Sequence, residues 1–331
     1  MILQKLKSNR QLNLIAFLVI ALLFWLKSLM SPFPYPFFTG ENNNILFLPI
    51  YRLVQNSDFL QVLLSLVLVL LLAVLVQLLS NRFLILGVRT KLPAILFIII
   101  ISGYTKLHTL HPVFPAALFL MFAVYSLFGS LDKAKPYSNI FNAGFFLGLG
   151  SLFYFNMVIL FPAFLFAIII LSKNINWRLF VIVSIGFFLT FLLTFSYAIL
   201  TEQTLEILKT FEENILTPVN HFRTNIPLHG LLTFLVLLTL AGSIKIFVQY
   251  DSKKVSTRKY FSALFLLFLF SMLSFIFIPV TSQEMLIVIT IPVSYLISNL
   301  FITMKSRFWS EILFLLLIGI VILMQFSDKL F

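Results

Sequence analysis

The sequence predicts an all-α fold, a polytopic transmembrane helix bundle of about eleven spans with the N-terminus cytoplasmic and the C-terminus outside. Three observations predict it. The 331 residues are 61% hydrophobic and only 10% charged, whereas soluble domains carry about 25% charged residues. Apolar runs near the length needed to cross a bilayer core, about 20 residues, recur along the chain. The basic residues sit between those runs rather than in a patch, so the net charge of +12 points to a membrane and not to nucleic acid. No loop is long enough to fold alone, so residues 1–331 read as a single integral membrane domain.

The expected spans lie at 12–30, 59–79, 84–104, 112–129, 139–155, 157–172, 179–200, 228–249, 260–280, 285–303 and 310–327. Lys5, Lys7 and Arg10 precede the first run like the head of a signal peptide. No small-residue cleavage site follows it, so it reads as a retained helix. Arg89 and Lys91 crowd the start of the third span. Asn156 is the main polar break in 139–172, which leaves open two spans or one span with a re-entrant piece.

Orientation comes from the 23 Lys and Arg residues. With the N-terminus inside, only Lys27, Arg52, Lys106, Lys209, Arg223 and Lys329 fall outside, the bias expected of cytoplasmic loops. The longest loops, about 31–58 and 201–227, are both outer. In the second, Thr201 is a candidate helix cap. Leu205, Leu208, Phe211 and Ile215 recur at helical spacing opposite Glu202, Glu206, Lys209 and Glu213, which predicts an amphipathic helix on the outer interface. It reads as a cover for the bundle or a lid over a site.

The expected membrane interior is poor in ionisable groups, and its polar residues are mainly Gln77, Asn142 and Asn299. That lowers the case for an ion-coupled transporter, which normally carries charged relays at mid-depth. Gly144 and Gly148 form a G-xxx-G face suited to close helix packing within the chain, with dimerisation the alternative. With no cysteine, disulfide and thiolate chemistry are excluded.

Candidate chemistry collects in the outer loops. Glu41 and Asp58 are carboxylates near the headgroup region, suited to act as general base toward a hydroxyl. Arg52 and Arg223 match the geometry of a phosphate, and His221 is suited to move protons beside Arg223. The pair His108 and His111 lacks a third ligand nearby in sequence, so no metal site is expected there. No cofactor fingerprint, phosphate-cradling glycine loop or nucleophile elbow occurs.

In texture the whole chain, rich in Phe, Ile and Leu, resembles a family of polytopic bacterial inner-membrane proteins without an assigned activity. The stretch from Asn142-Ala-Gly-Phe-Phe-Leu-Gly-Leu-Gly-Ser through Phe161-Pro-Ala-Phe to Trp177-Arg178 is more distantly similar to the central helices of GT-C membrane glycosyltransferases and glycan polymerases. That resemblance implies transfer of a sugar from a polyprenyl-phosphate carrier at the outer face, with membrane lipid and lipid-linked sugar as partners. It maps the family's first-loop acid onto Glu41 or Asp58. The chain departs from the pattern in its short loop and the lack of a paired-acid motif. A lipid or solute transporter and a non-catalytic subunit of an envelope assembly are the other classes the sequence admits.

Overall fold

The computed structural model describes residue 3 and residues 12–37, 41–173, 176–216, 226–249, 253–277 and 283–327. Among these are thirteen α-helices, two 3-10 helices and no strand. In chain order the helices are α1 (Leu12–Met30), α2 (Leu48–Val54), α3 (Asp58–Phe83), α4 (Leu92–Ser102), α5 (Val113–Phe128), α6 (Tyr137–Phe153), α7 (Phe161–Leu171), α8 (Trp177–Leu200), α9 (Thr204–Leu216), α10 (Ile226–Val248), α11 (Val255–Phe277), α12 (Met285–Thr303) and α13 (Arg307–Ser327). Six of them, α3, α8 and α10 to α13, are long and apolar enough to cross a membrane.

Each expected apolar run holds a helix, but the count of eleven full spans is not reproduced. The clearest departure is 84–104. Residues 84–91 form turns, with Leu84 and Gly87 at positive φ, and the helix begins only at Leu92. Arg89 and Lys91 sit in that turn. The remaining 11 residues extend about 16 Å at the usual rise per residue, half of a hydrocarbon core of about 30 Å. The segment 139–172 breaks at Tyr154, whose extended backbone separates α6 from a 3-10 turn (Phe155–Leu160) that runs into α7.

Two helices form the centre. Every residue of α4 is buried, and so is nearly all of α12. Both are surrounded by neighbouring helices rather than left with a free face. Around α12 lie α4, α5, α10 and α11, while α1 and α3 pack on α4. A second layer joins α5, α6 and α8. There the G-xxx-G face packs within the chain. A methyl group at Gly144 would strike the Val183 carbonyl, and one at Gly148 would lie 2.7 Å from the Phe187 carbonyl, both on α8. At Gly242 on α10 a methyl would reach the Leu296 carbonyl of α12 at 2.5 Å.

The amphipathic helix is present as α9, with a different face inward. Ile207 and Asn214 are buried, and Phe211 packs on Phe155, Phe191 and Phe195. Leu205, Leu208 and Ile215 point outward and are exposed.

Candidate functional site

The first loop, between α1 and α2, folds back onto the bundle instead of spreading over it. Pro32, Pro34 and Pro36 hold its first part extended. A turn at 41–43 follows, closed by the Asn44 side chain, which donates to the Glu41 carbonyl at 2.9 Å. This carries Tyr35 and Glu41 inward, where they are 4% and 2% exposed. From the other side, the loop between α4 and α5 brings His108 and His111, both fully buried. The residue before α12, Glu284, closes the site and is also fully buried. Residues far apart in sequence thus meet at one end of the central helix.

Glu41 Oε1 lies 3.1 Å from His111 Nε2, but the imidazole N–H is out of line for a hydrogen bond, and Nε2 has no such partner. Nδ1 of the same ring accepts from the Val113 backbone N–H at 3.2 Å. The neutral ring therefore carries its proton on Nε2, facing Glu41. Tyr35 donates a hydrogen bond to Glu284 Oε1, and Glu284 Oε2 has none. Tyr35, Phe37 and Tyr154 surround the His111 ring at centroid distances of 4.7, 5.8 and 5.8 Å. Tyr104 donates to Gln283, and the Asn156 side chain donates to the Tyr154 hydroxyl at 3.1 Å.

Burial in this aromatic shell sets the charge states. It pushes the Glu284 carboxyl up to about 7, helped by the negative charge of Glu41. It pushes His111 down to about 4, against the pull of Glu284. The Tyr35 and Tyr154 hydroxyls are driven well above their usual value by burial and then by Glu284. At neutral pH the imidazole and both phenols are uncharged, and Glu284 is near its midpoint.

One donor atom each from Glu41, His111 and Glu284 lies within 4.8 Å of the others, a spacing that a divalent cation can bridge. The imidazole argues against that use. A His that binds metal through one nitrogen donates a proton from the other, whereas Nδ1 here accepts one.

His108 stands one turn away with a structural part. Its ring stacks on Trp25 at 3.8 Å, accepts from Ser28 at 2.8 Å and donates to the Ser102 carbonyl at 3.3 Å. Burial pushes it down to about 3, so it stays neutral. It ties α1 to the end of α4.

Beside the cluster is an open cavity of about 1000 Å³ between the first loop, α6, α8 and α9. Asn43, Ile45 and Leu46 wall it from the loop side, and Phe145, Leu149 and Leu193 line it from the bundle. Arg52 and Lys209 stand at it with Glu206 and Glu213.

The residues singled out from sequence separate accordingly. Glu41 enters the buried cluster, and Arg52 lines the cavity. Asp58 is the first residue of α3, partly exposed, where a negative charge suits the helix N-terminus. His221 and Arg223 lie outside the described residues. The sequence offers His108 and His111 only as a pair without a third ligand and does not single out Glu284; all three are buried. No local signal marks Glu284, because an apolar helix after it is equally suited to face lipid.

The family model for the family of unknown function DUF6427 matches residues 42–330. The chain belongs to the DUF6427 family. No curated protein and no solved structure matches it. The matched range of DUF6427 begins one residue after Glu41 and contains His111 and Glu284.

Proposed function

We propose that this chain is a membrane-embedded enzyme working by acid–base chemistry on a lipid-linked substrate. In its specific form, it moves a sugar from a polyprenyl-phosphate carrier to a hydroxyl acceptor at the outer face of a bacterial inner membrane. One observation carries the reading. Glu41 stands 3.1 Å from His111 in the same loop that walls the cavity through Asn43, Ile45 and Leu46.

In this reading Glu41 takes the proton of the acceptor hydroxyl as its oxygen attacks the anomeric carbon, and the carrier phosphate leaves with the bonding pair. Arg52 and Lys209 offset the charge of the leaving phosphate. The apolar wall of Phe145, Leu149 and Leu193 receives the first part of the lipid chain. The outer face is taken from the distribution of Lys and Arg between the loops.

A second reading, a proton-coupled transporter, draws on α12. Thr290, Ser294 and Ser298 are fully buried between Glu284 and Asn299. Each hydroxyl is bonded to a carbonyl of its own helix, so the three do not form a continuous polar path.

The deciding experiment is a mass profile of lipid-linked glycans in cells lacking the gene, complemented with wild type or Glu41→Gln. The enzyme reading expects an unused donor or truncated glycan to accumulate and only wild type to clear it. A profile unchanged by deletion, or fully restored by Glu41→Gln, overturns it.

A further inference from the structure

Two carboxylates and one imidazole share a nearly dry site. Glu41 is 2% exposed, and Glu284 and His111 are fully buried. Two ionised carboxylates this close repel strongly, and each costs several kcal/mol to desolvate. Among the described residues no Lys or Arg forms an ion pair with Glu284. The groups acting on it are Glu41 and Tyr35 from the first loop and His111 from the α4–α5 loop. Among the described residues Tyr104 and Tyr154 are the further titratable groups bonded or coupled to this site, the latter under the field of both acids.

The hydrogen-bond directions say where a proton belongs. Oε1 of Glu284 already accepts from Tyr35. A carboxyl proton therefore goes on Oε2, the atom that has no partner. His111 turns its Nε2 proton toward Glu41 because Nδ1 is engaged by Val113. Glu41 is thus the carboxylate beside the imidazole proton, and Glu284 is the one with an open oxygen for a proton of its own. One carboxylate oxygen of each acid and one ring nitrogen of His111 lie within 4.8 Å of one another, a separation that one bridging water spans.

We propose that Glu284 is a positioning residue that holds one proton shared with Glu41, so that Glu41 is the single ionised carboxylate of the pair. The inference deepens the catalytic reading of Glu41 and rests on it for its purpose, while its test needs no substrate. The value near 7 for Glu284 agrees with a pair that exchanges its proton at neutral pH.

The experiment is infrared difference spectroscopy of the purified full chain in lipid nanodiscs, with pH stepped through neutrality and metal content measured on the same samples. Wild type should show a protonated-carboxyl band that falls by half near pH 7. Glu284→Gln should abolish it. Glu41→Gln should keep the band and move its midpoint to lower pH, because a like charge is removed. Tyr35→Phe should move it to higher pH, because a donor to the carboxylate is lost. A purely structural role for these residues would not move the midpoint in opposite directions.

The proposal falls if the band survives in Glu284→Gln, or if no carboxyl titrates near neutrality in wild type. It falls equally if each chain carries one divalent ion whose chelation changes the carboxylate bands. Should the glycan profile fail while the band behaves as stated, the shared proton stands and glycosyl transfer does not. Helix content by circular dichroism confirms that each variant is folded.

Discussion

Substituting Gly144 with Ala tests the packing that forms the cavity. Its added methyl would strike the Val183 carbonyl and approach the Phe187 backbone nitrogen at 3.1 Å. Both obstacles are backbone of α8, so no rotamer change relieves them. The reverse contact also exists: a methyl at Gly186 would strike the Phe141 carbonyl of α6. The two helices must therefore separate. Overpacking of this kind costs about 1–3 kcal/mol, against about 0.5–1 kcal/mol gained when Ala replaces Gly in a helix. A net loss of about 1–2 kcal/mol is expected. Gly230→Ala and Gly319→Ala are the controls. Both glycines lie inside helices with nothing within 4 Å of the added methyl, so each should gain about 0.5–1 kcal/mol. Denaturation in detergent, followed by circular dichroism, compares the three. If Gly144→Ala is as stable as the controls, α6 and α8 do not pack as described. A change in oligomeric state without loss of stability would instead assign the glycine face to a dimer.

Further consequences concern the buried polar groups. Because Glu284 is raised from 4.5 to about 7, the folded state holds its proton more tightly than the unfolded state. Its contribution to stability is complete below pH 4.5 and is lost as pH rises through about 7, to a total of about 3 kcal/mol. Glu284→Gln should therefore gain stability relative to wild type as pH rises over that window; a difference that stays flat with pH refutes it. His111 has the opposite sign: burial lowers it from 6.5 to about 4. Its stability is present above pH 6.5 and lost as pH falls through about 4, so His111→Gln should lose less stability than wild type on acidification, measured by melting temperature against pH. His108→Ala removes a ring stacked on Trp25 and leaves Ser28 without its partner, for a loss of about 2–4 kcal/mol. An unchanged melting temperature would show that the ring does not tie α1 to α4. Arg52→Ala should lower turnover of a lipid-linked donor more than it lowers stability, since the side chain is exposed and lines the cavity; equal activity would remove it from the phosphate-binding role.

Several levels of this protein are legible in the sequence, each for a local reason. The all-helical membrane class follows from the apolar composition and the spacing of the apolar runs, because a chain in lipid must satisfy its backbone internally. The close approach of α6 and α8 is legible in Gly144 and Gly148, since only glycine removes the obstacle on a helix face. The amphipathic helix is legible in the repeat of Leu205, Leu208, Phe211 and Ile215, although periodicity did not reveal that Ile207 and Asn214 face the bundle. Length was less well determined. Arg89 and Lys91 interrupt an apolar run that otherwise reads as a span, and the chain resolves this as a turn followed by a half-length helix.

What only the tertiary structure decided is the meeting of residues 41, 111 and 284. Each stands alone among polar loop residues in the sequence, and an isolated acid at the edge of an apolar run reads as solvated. Burial is a collective property. Glu284 is dry because α12 is enclosed by four helices, and His111 is neutral because Tyr35, Phe37 and Tyr154 exclude water from it. Sequence alone therefore set the solvent this protein lives in, while the fold set which of its few ionisable groups are withheld from any solvent.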